Sequence, residues 1–153
     1  EERVSSARAL SRDVMFGWPA VTWARLQSSQ PRSSNAYLAI FDYDSPASPD
    51  MPRGAIHGAD VSYVFGGRQD LSAEQTAVQN LLRTYWVNFI RDGDPNGAGL
   101  PAWPAFEPND ERVMRLNPAA QAAPLPNRQG IEAMDSYFAW RRAEAASRHS
   151  EAR

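Results

Sequence analysis

The sequence contains no cysteine, which removes disulfides, thiolate metal sites and thiol nucleophiles and leaves the redox compartment open. It contains no lysine either, so all 16 basic residues are arginine. Histidine occurs only at His57 and His149, and no pair stands at a metal-ligand spacing. No run of about 18 apolar residues exists to supply a membrane-spanning helix. No block of like charges exists, and the formal net charge is -2, so the footprint of a nucleic-acid binder is missing. No glycine is followed two positions later by serine, so the Gly-x-Ser-x-Gly elbow of a serine nucleophile is absent. Gly-rich phosphate loops and Asp/Asn calcium loops are absent too, and no cofactor is expected. The first residues, Glu1-Glu2-Arg3, have neither the basic start nor the apolar centre of a signal peptide. A start without Met fits a processed product or an internal fragment, which leaves the cellular location open.

What is present is a 153-residue chain, 42% hydrophobic, in the size range of one domain. The stretch from Ser11 to Gln27 predicts a helix with Val14, Trp18 and Val21 on one side, and Pro19 predicts a kink or a late start within it. Ala36 to Phe41 is a short apolar run between turn formers and predicts a strand buried on both faces. From Asp42 to Gly54 the chain is rich in Asp, Ser and Pro and reads as a loop, leading into Ala55-Ile56-His57-Gly58.

Ser72 to Asp92 carries the strongest helix pattern. Ser72 can cap it with Gln75 reaching back, and Val78, Leu81, Leu82, Tyr85, Trp86, Phe89 and Ile90 form one apolar face. Gly93 stops it and Asp94-Pro95-Asn96-Gly97 turns the chain. Arg112 to Leu116 alternates as a short exposed strand, and a last helix spans Asn127 to about Ala146, presenting Ile131, Met134, Phe138 and Trp140, with Arg148 to Arg153 frayed. Trp86, Phe89, Trp103 and Trp140 are expected in the core. One buried strand with a few helices leaves backbone groups without a sheet, so further strands are expected outside this chain.

The two histidines are the candidates for chemistry. His57 lies in a glycine-flanked loop after an apolar strand, where a mobile backbone can aim an imidazole into a cleft. A histidine acts as general base because it titrates near neutrality, and it then needs a nucleophile to deprotonate and a carboxylate to orient it. His149 reads as a solvated terminal residue.

Gly54-Ala55-Ile56-His57-Gly58-Ala59-Asp60-Val61-Ser62-Tyr63-Val64-Phe65-Gly66 resembles the histidine motif of the type-B carboxylesterase and cholinesterase-like family, Gly-x-x-His-Gly-x-Glu leading to Phe-Val-Phe-Gly. Other segments are similar to the same family in the same order: Asp13-Val14-Met15-Phe16 followed by Pro19, Ala36 to Tyr43, Tyr85 to Asn96, Trp103-Pro104-Ala105-Phe106 and Trp140. The resemblance implies an α/β fold, with residues 1–153 the C-terminal part of a single α/β-hydrolase domain: its last core strand plus flanking helices. It implies a serine carboxylesterase in which His57 is the general base acting on a small-molecule ester. The serine, the triad acid and the oxyanion loop would lie upstream, on the same chain or on a separate copurifying polypeptide cut at an exposed loop. Asp60 stands where the family has Glu, which implies a carboxylate supporting the histidine, with an acid at a helix start or on the surface as the alternative. Tyr137 replaces a disulfide cysteine of the secreted animal members, which fits a bacterial origin. Two other functions are open: a non-catalytic binding or adhesion module built on the same fold, and an autonomous helical domain.

Overall fold

The computed structural model describes residues 2–31, 34–44, 55–67 and 70–151. It forms three layers: a small sheet with helices on both of its faces. The chain opens with helix α1 (Glu2–Arg12), a π-helical turn (Asp13–Gly17) and α2 (Trp18–Ser28), which follow one another without a break. Strand β1 (Ala39–Phe41) comes next, followed by α3 (Val61–Phe65) and α4 (Ala73–Asp92). Strands β2 (Arg112–Leu116) and β3 (Gln121–Pro124) and the terminal helix α5 (Arg128–Glu151) complete the order.

The sheet runs β1-β2-β3, with β1 parallel to β2 and β2 antiparallel to β3. Side chains alternate across it as the pleat requires. Met114 and Leu116 of β2 face one cluster with Tyr43, Tyr63, Val78, Leu82, Tyr85 and Trp103, which places α3 and α4 on that side. Val113 faces the opposite cluster with Val21, Ala24, Phe106, Leu125 and Ile131, which places α2 and α5 there.

Helix α4 follows its sequence pattern closely. Ser72 accepts from the Gln75 amide at 3.2 Å while its own amide donates to the Gln75 side chain at 2.9 Å, closing a capping box. Val78, Leu82 and Tyr85 recur at helical spacing and are buried. Gly93 ends the helix at φ 72°, a left-handed value that glycine adopts without a side-chain penalty. The face is narrower than the sequence predicts, because Phe89 and Ile90 are exposed and Asn88 is buried instead. The Asn88 amide donates to the carbonyls of Pro95 and Asn96, and so holds the turn after the helix.

Several expectations are corrected. The helical run begins well before Ser11, and α2 starts at Trp18 with Pro19 in its first turn, directly after a π-helical turn. Proline has no N–H and its ring crowds the carbonyl four residues back. A wider π-helical turn precedes it, in which the Trp18 amide bonds to the Asp13 carbonyl, and the helix continues. Strand β1 is shorter than Ala36 to Phe41 and half-buried rather than buried on both faces, because among the described residues it stands at the sheet's edge. Strand β2 is central and largely buried, not exposed. Its arginines are accommodated at its margins: Arg115 pairs with Asp42, and Arg112 donates to the Ala122 carbonyl. Strand β3, rich in alanine and ending in Pro124, was not anticipated. Helix α5 continues to Glu151, past the expected end near Ala146 and into the stretch from Arg148 expected to fray. Asn127 sits at φ 51° and sends its amide to Asp13. Most of the loop expected from Asp42 to Gly54, including Pro46, Pro49 and Pro52, lies outside the described residues. Among the described residues no helix is long and apolar enough to cross a membrane.

Candidate active site

The candidate histidine follows β1 and opens the segment that becomes α3. A tight turn carries it: the Ala59 amide bonds to the Ile56 carbonyl at 3.0 Å, and the Val61 amide to the Gly58 carbonyl at 3.1 Å. Gly58 supplies the positive φ of 77° on which that turn depends. Just beyond, Tyr63 is buried against Phe41 and Tyr43 and anchors the segment to the sheet. Val61 and Phe65, four residues apart on the same face of α3, point away from this core, and Phe65 is 80% exposed.

His57 is exposed, and its imidazole forms no hydrogen bond or ion pair with a described residue. It lies face to face with Phe16, with ring centroids 4.2 Å apart and planes 15° from parallel. Stacking on one face leaves the nitrogen-bearing edge of the imidazole open to reacting groups. Phe16 is part of the π-helical turn, so the two sequence segments that resemble one family's motifs meet at this contact.

Asp60 stands at the start of α3, where its carbonyl accepts from the Tyr63 amide at 2.9 Å and the Val64 amide at 3.0 Å. Its carboxylate does not cap the helix and forms no hydrogen bond or ion pair with any described residue, His57 included. His149 lies on the exposed last turn of α5. Among the described residues no cluster of His, Asp and Glu could hold a metal ion.

Of the aromatics expected in the core, Trp103 is buried and Trp86 packs against it, but Phe89 and Trp140 are largely exposed. Their helix faces carry apolar residues that no described element covers. Sequence reasoning also missed the support beneath the π-helical turn. Buried Asp13 accepts from Arg12 and from Asn127. Trp18 stacks on Phe138 at 4.1 Å and donates to Asp135 at 2.7 Å. Arg25 then joins Asp135 at 2.7 Å to buried Glu111 at 2.6 Å, tying α2 to α5 and to the start of β2. Burial pulls the Arg25 guanidinium down, but its hydrogen bonds to Asp135 and Glu111 outweigh this and raise it above its ordinary value. The sequence holds no local signal for this network, since its members are about a hundred residues apart.

Among curated proteins, the chain is 34% identical over 120 residues to mouse carboxylesterase 1D, covering 74% of this chain and 21% of that protein. It is 36% identical over 122 residues to pig liver carboxylesterase, again covering 74% and 21%. The chain therefore spans about a fifth of the length of the curated relatives it matches. These relatives are mammalian, so the likeness gives no support to the bacterial origin expected from Tyr137. Among solved structures, a PNB esterase superposes with TM-score 0.69 at 22% identity, covering 83% of this chain and 27% of that one. Juvenile hormone esterase from Manduca sexta does so with TM-score 0.69 at 21% identity, covering 84% and 27%. The fold is that of a partial α/β-hydrolase. With a family model described as the carboxylesterase family matching residues 1–137, the chain belongs to the carboxylesterase family.

Proposed function

We propose that residues 1–153 are the C-terminal portion of a single serine carboxylesterase domain and supply its general base, His57. The nucleophilic serine, the triad acid and the oxyanion donors would be supplied by the rest of that domain, as one polypeptide or as a copurifying partner. The observation that carries the reading is His57 itself: an exposed imidazole on a turn after a sheet strand, held on one face and with its nitrogens unengaged by described residues.

The sheet supports the second half of the proposal. Met114 donates to the Leu38 carbonyl and Asp42 donates to the Leu116 carbonyl, so alternate residues of β1 turn their backbone groups toward β2. By the same alternation Ala39 and Phe41 turn theirs outward, and among the described residues no strand meets them. A further parallel strand would satisfy these groups.

In the reaction, the serine oxygen attacks the ester carbonyl while His57 takes its proton. The tetrahedral intermediate collapses, His57 returns the proton to the leaving alcohol, and water repeats both steps to release the acid and restore the serine. A carboxylate from the rest of the domain would hold the imidazole in the correct tautomer. Asp60 is the nearby acid in sequence, and we assign it a supporting role beside His57, exercised once the domain is complete.

The test uses the complete enzyme. A fluorophosphonate should label one serine, and His57→Ala should lower kcat by at least about a thousandfold while KM changes little. Near-normal turnover in His57→Ala would remove His57 from the mechanism. Absence of any labelled serine would favour the alternative, a non-catalytic binding or adhesion module on the same fold.

A further inference from the structure

We infer that Phe16 is a positioning residue for His57, fixing the plane of the imidazole from the face that takes no part in proton transfer. This rests on the general-base reading of His57. The geometry that carries it is the stack itself, with centroids 4.2 Å apart and planes within 15°.

A general base of this kind has a specific mounting problem. One ring nitrogen must face the nucleophile and the other the triad acid, so neither can be spent on fixing the ring to its own scaffold. The turn fixes the backbone of His57 but not the tilt of its ring, because the side chain is exposed and hydrogen-bonds to no described residue. Face contact with an aromatic plane restricts ring tilt and leaves both nitrogens available. Among the described residues Phe16 is the ring in that position.

Phe16 can serve as a fixed plate because its own backbone is held on both sides. Three residues before it, Asp13 is buried and bonded to Arg12 and Asn127. Two residues after it, Trp18 is clamped by its stack on Phe138 and its bond to Asp135. Gly17 packs close to buried Ile131 of α5, where an added Cβ would lie 3.6 Å from the Ile131 side chain. The turn between these anchors is π-helical, a widened geometry that occurs often at functional sites because it redirects side chains that a regular helix would carry elsewhere. Phe16 is itself 42% exposed, more than a residue retained for core packing would be.

The experiment compares Phe16→Leu, which keeps apolar volume but loses the plane, with Phe16→Tyr, which keeps the plane, in the complete enzyme and in its His57→Ala background. Phe16→Leu should lower kcat on the order of tenfold to a hundredfold with KM within about twofold, since misplacing a reacting group acts on the chemical step. Phe16→Tyr should recover most of that loss. In the His57→Ala background Phe16→Leu should cause no further loss, because the base it orients is gone. The His57 ring-proton resonances in NMR should lose their upfield ring-current displacement in Phe16→Leu and keep it in Phe16→Tyr.

Unchanged kcat in Phe16→Leu, or a change confined to KM, would overturn the assignment and leave Phe16 a pocket wall. An equally large loss in the His57→Ala background would overturn it as well. If His57→Ala is inactive while Phe16→Leu is normal, only the positioning role falls. If His57→Ala keeps wild-type turnover, the general-base reading falls first. Matching melting temperatures of the Leu and Tyr variants separate a catalytic loss from a folding loss.

Discussion

The hydroxyl of Tyr85 donates a 2.6 Å hydrogen bond to the carbonyl of Pro101, fastening the middle of α4 to the loop that follows it. The ring is fully buried and meets Trp103 edge-on, with centroids 5.2 Å apart. Burial pushes the phenol from its ordinary value of 10.0 up to about 12. The folded state therefore holds this proton more tightly than the unfolded state does. The stabilisation is fully present below pH 10.0 and is lost as pH rises toward about 12. Tyr85→Phe should cost about 1–2 kcal/mol at neutral pH, because it leaves the Pro101 carbonyl unpaired. It should also flatten the alkaline loss in urea titrations across that window. An unaltered alkaline slope would assign the loss to another group.

Gly93 and Gly97 lie close in sequence but should respond to alanine for different reasons. An added Cβ at Gly93 meets nothing within 4 Å, so Gly93→Ala carries only the left-handed backbone penalty, about 1 kcal/mol, and Gly93→Asn less. At Gly97 the Cβ would come within 2.7 Å of the Asn88 amide nitrogen, displacing the group that holds the Pro95 and Asn96 carbonyls. Gly97→Ala should cost about 2 kcal/mol or more. Chemical denaturation of the three variants would order them, and a Gly93→Ala cost above that of Gly97→Ala would contradict the cap geometry.

Buried Glu111 and Arg25 form a coupled pair. Arg25→Met should cost about 3 kcal/mol, since among the described residues it leaves the buried carboxylate with only Arg128, 3.4 Å away. Glu111→Gln should cost about 2 kcal/mol, because Arg25 keeps Asp135. The double variant should fall short of the sum by at least about 1 kcal/mol. Additive losses in the double-mutant cycle would mean that the two groups act independently.

Proline substitutions can tell whether the sheet continues past β1. The Ala39 amide faces away from β2, so Ala39→Pro spares the β1–β2 bonds. In the complete enzyme it should cost about 3 kcal/mol if another strand pairs there, and under about 1 kcal/mol if the edge is free. Thermal unfolding decides between them, and the smaller value would count against residues 1–153 being part of a larger sheet.

The parts of the fold legible in the sequence are those written by local chemistry. Ser72 and Gln75, the apolar spacing from Val78 to Tyr85 and Gly93 fix α4 at both ends. The parts that were not legible depend on distant partners. Arginines at 112 and 115 suggested an exposed strand, and only the position of β2 between β1 and β3 makes it a core strand. Phe89 and Trp140 read as core because periodicity reports which residues are apolar and not what covers them. At the site, the glycine-flanked loop pointed to His57, but the stack on Phe16 joins segments about forty residues apart and carries no local signature.

The parallel pairing of β1 with β2 has a kinetic consequence. Asp42 and Asn117, bonded at the end of this ladder, are separated by 75 residues, so the chain must close a long loop before any of these contacts forms. Helix α4, nucleated by its capping box, and the β2–β3 hairpin can form on their own much sooner. During that interval the run from Ala36 to Phe41 waits unpaired, an apolar segment of the kind that recruits identical copies of itself. The aspartate that follows it, Asp42, supplies the charge that discourages such recruitment and later becomes the partner of Arg115 and Asn117 in the closed sheet.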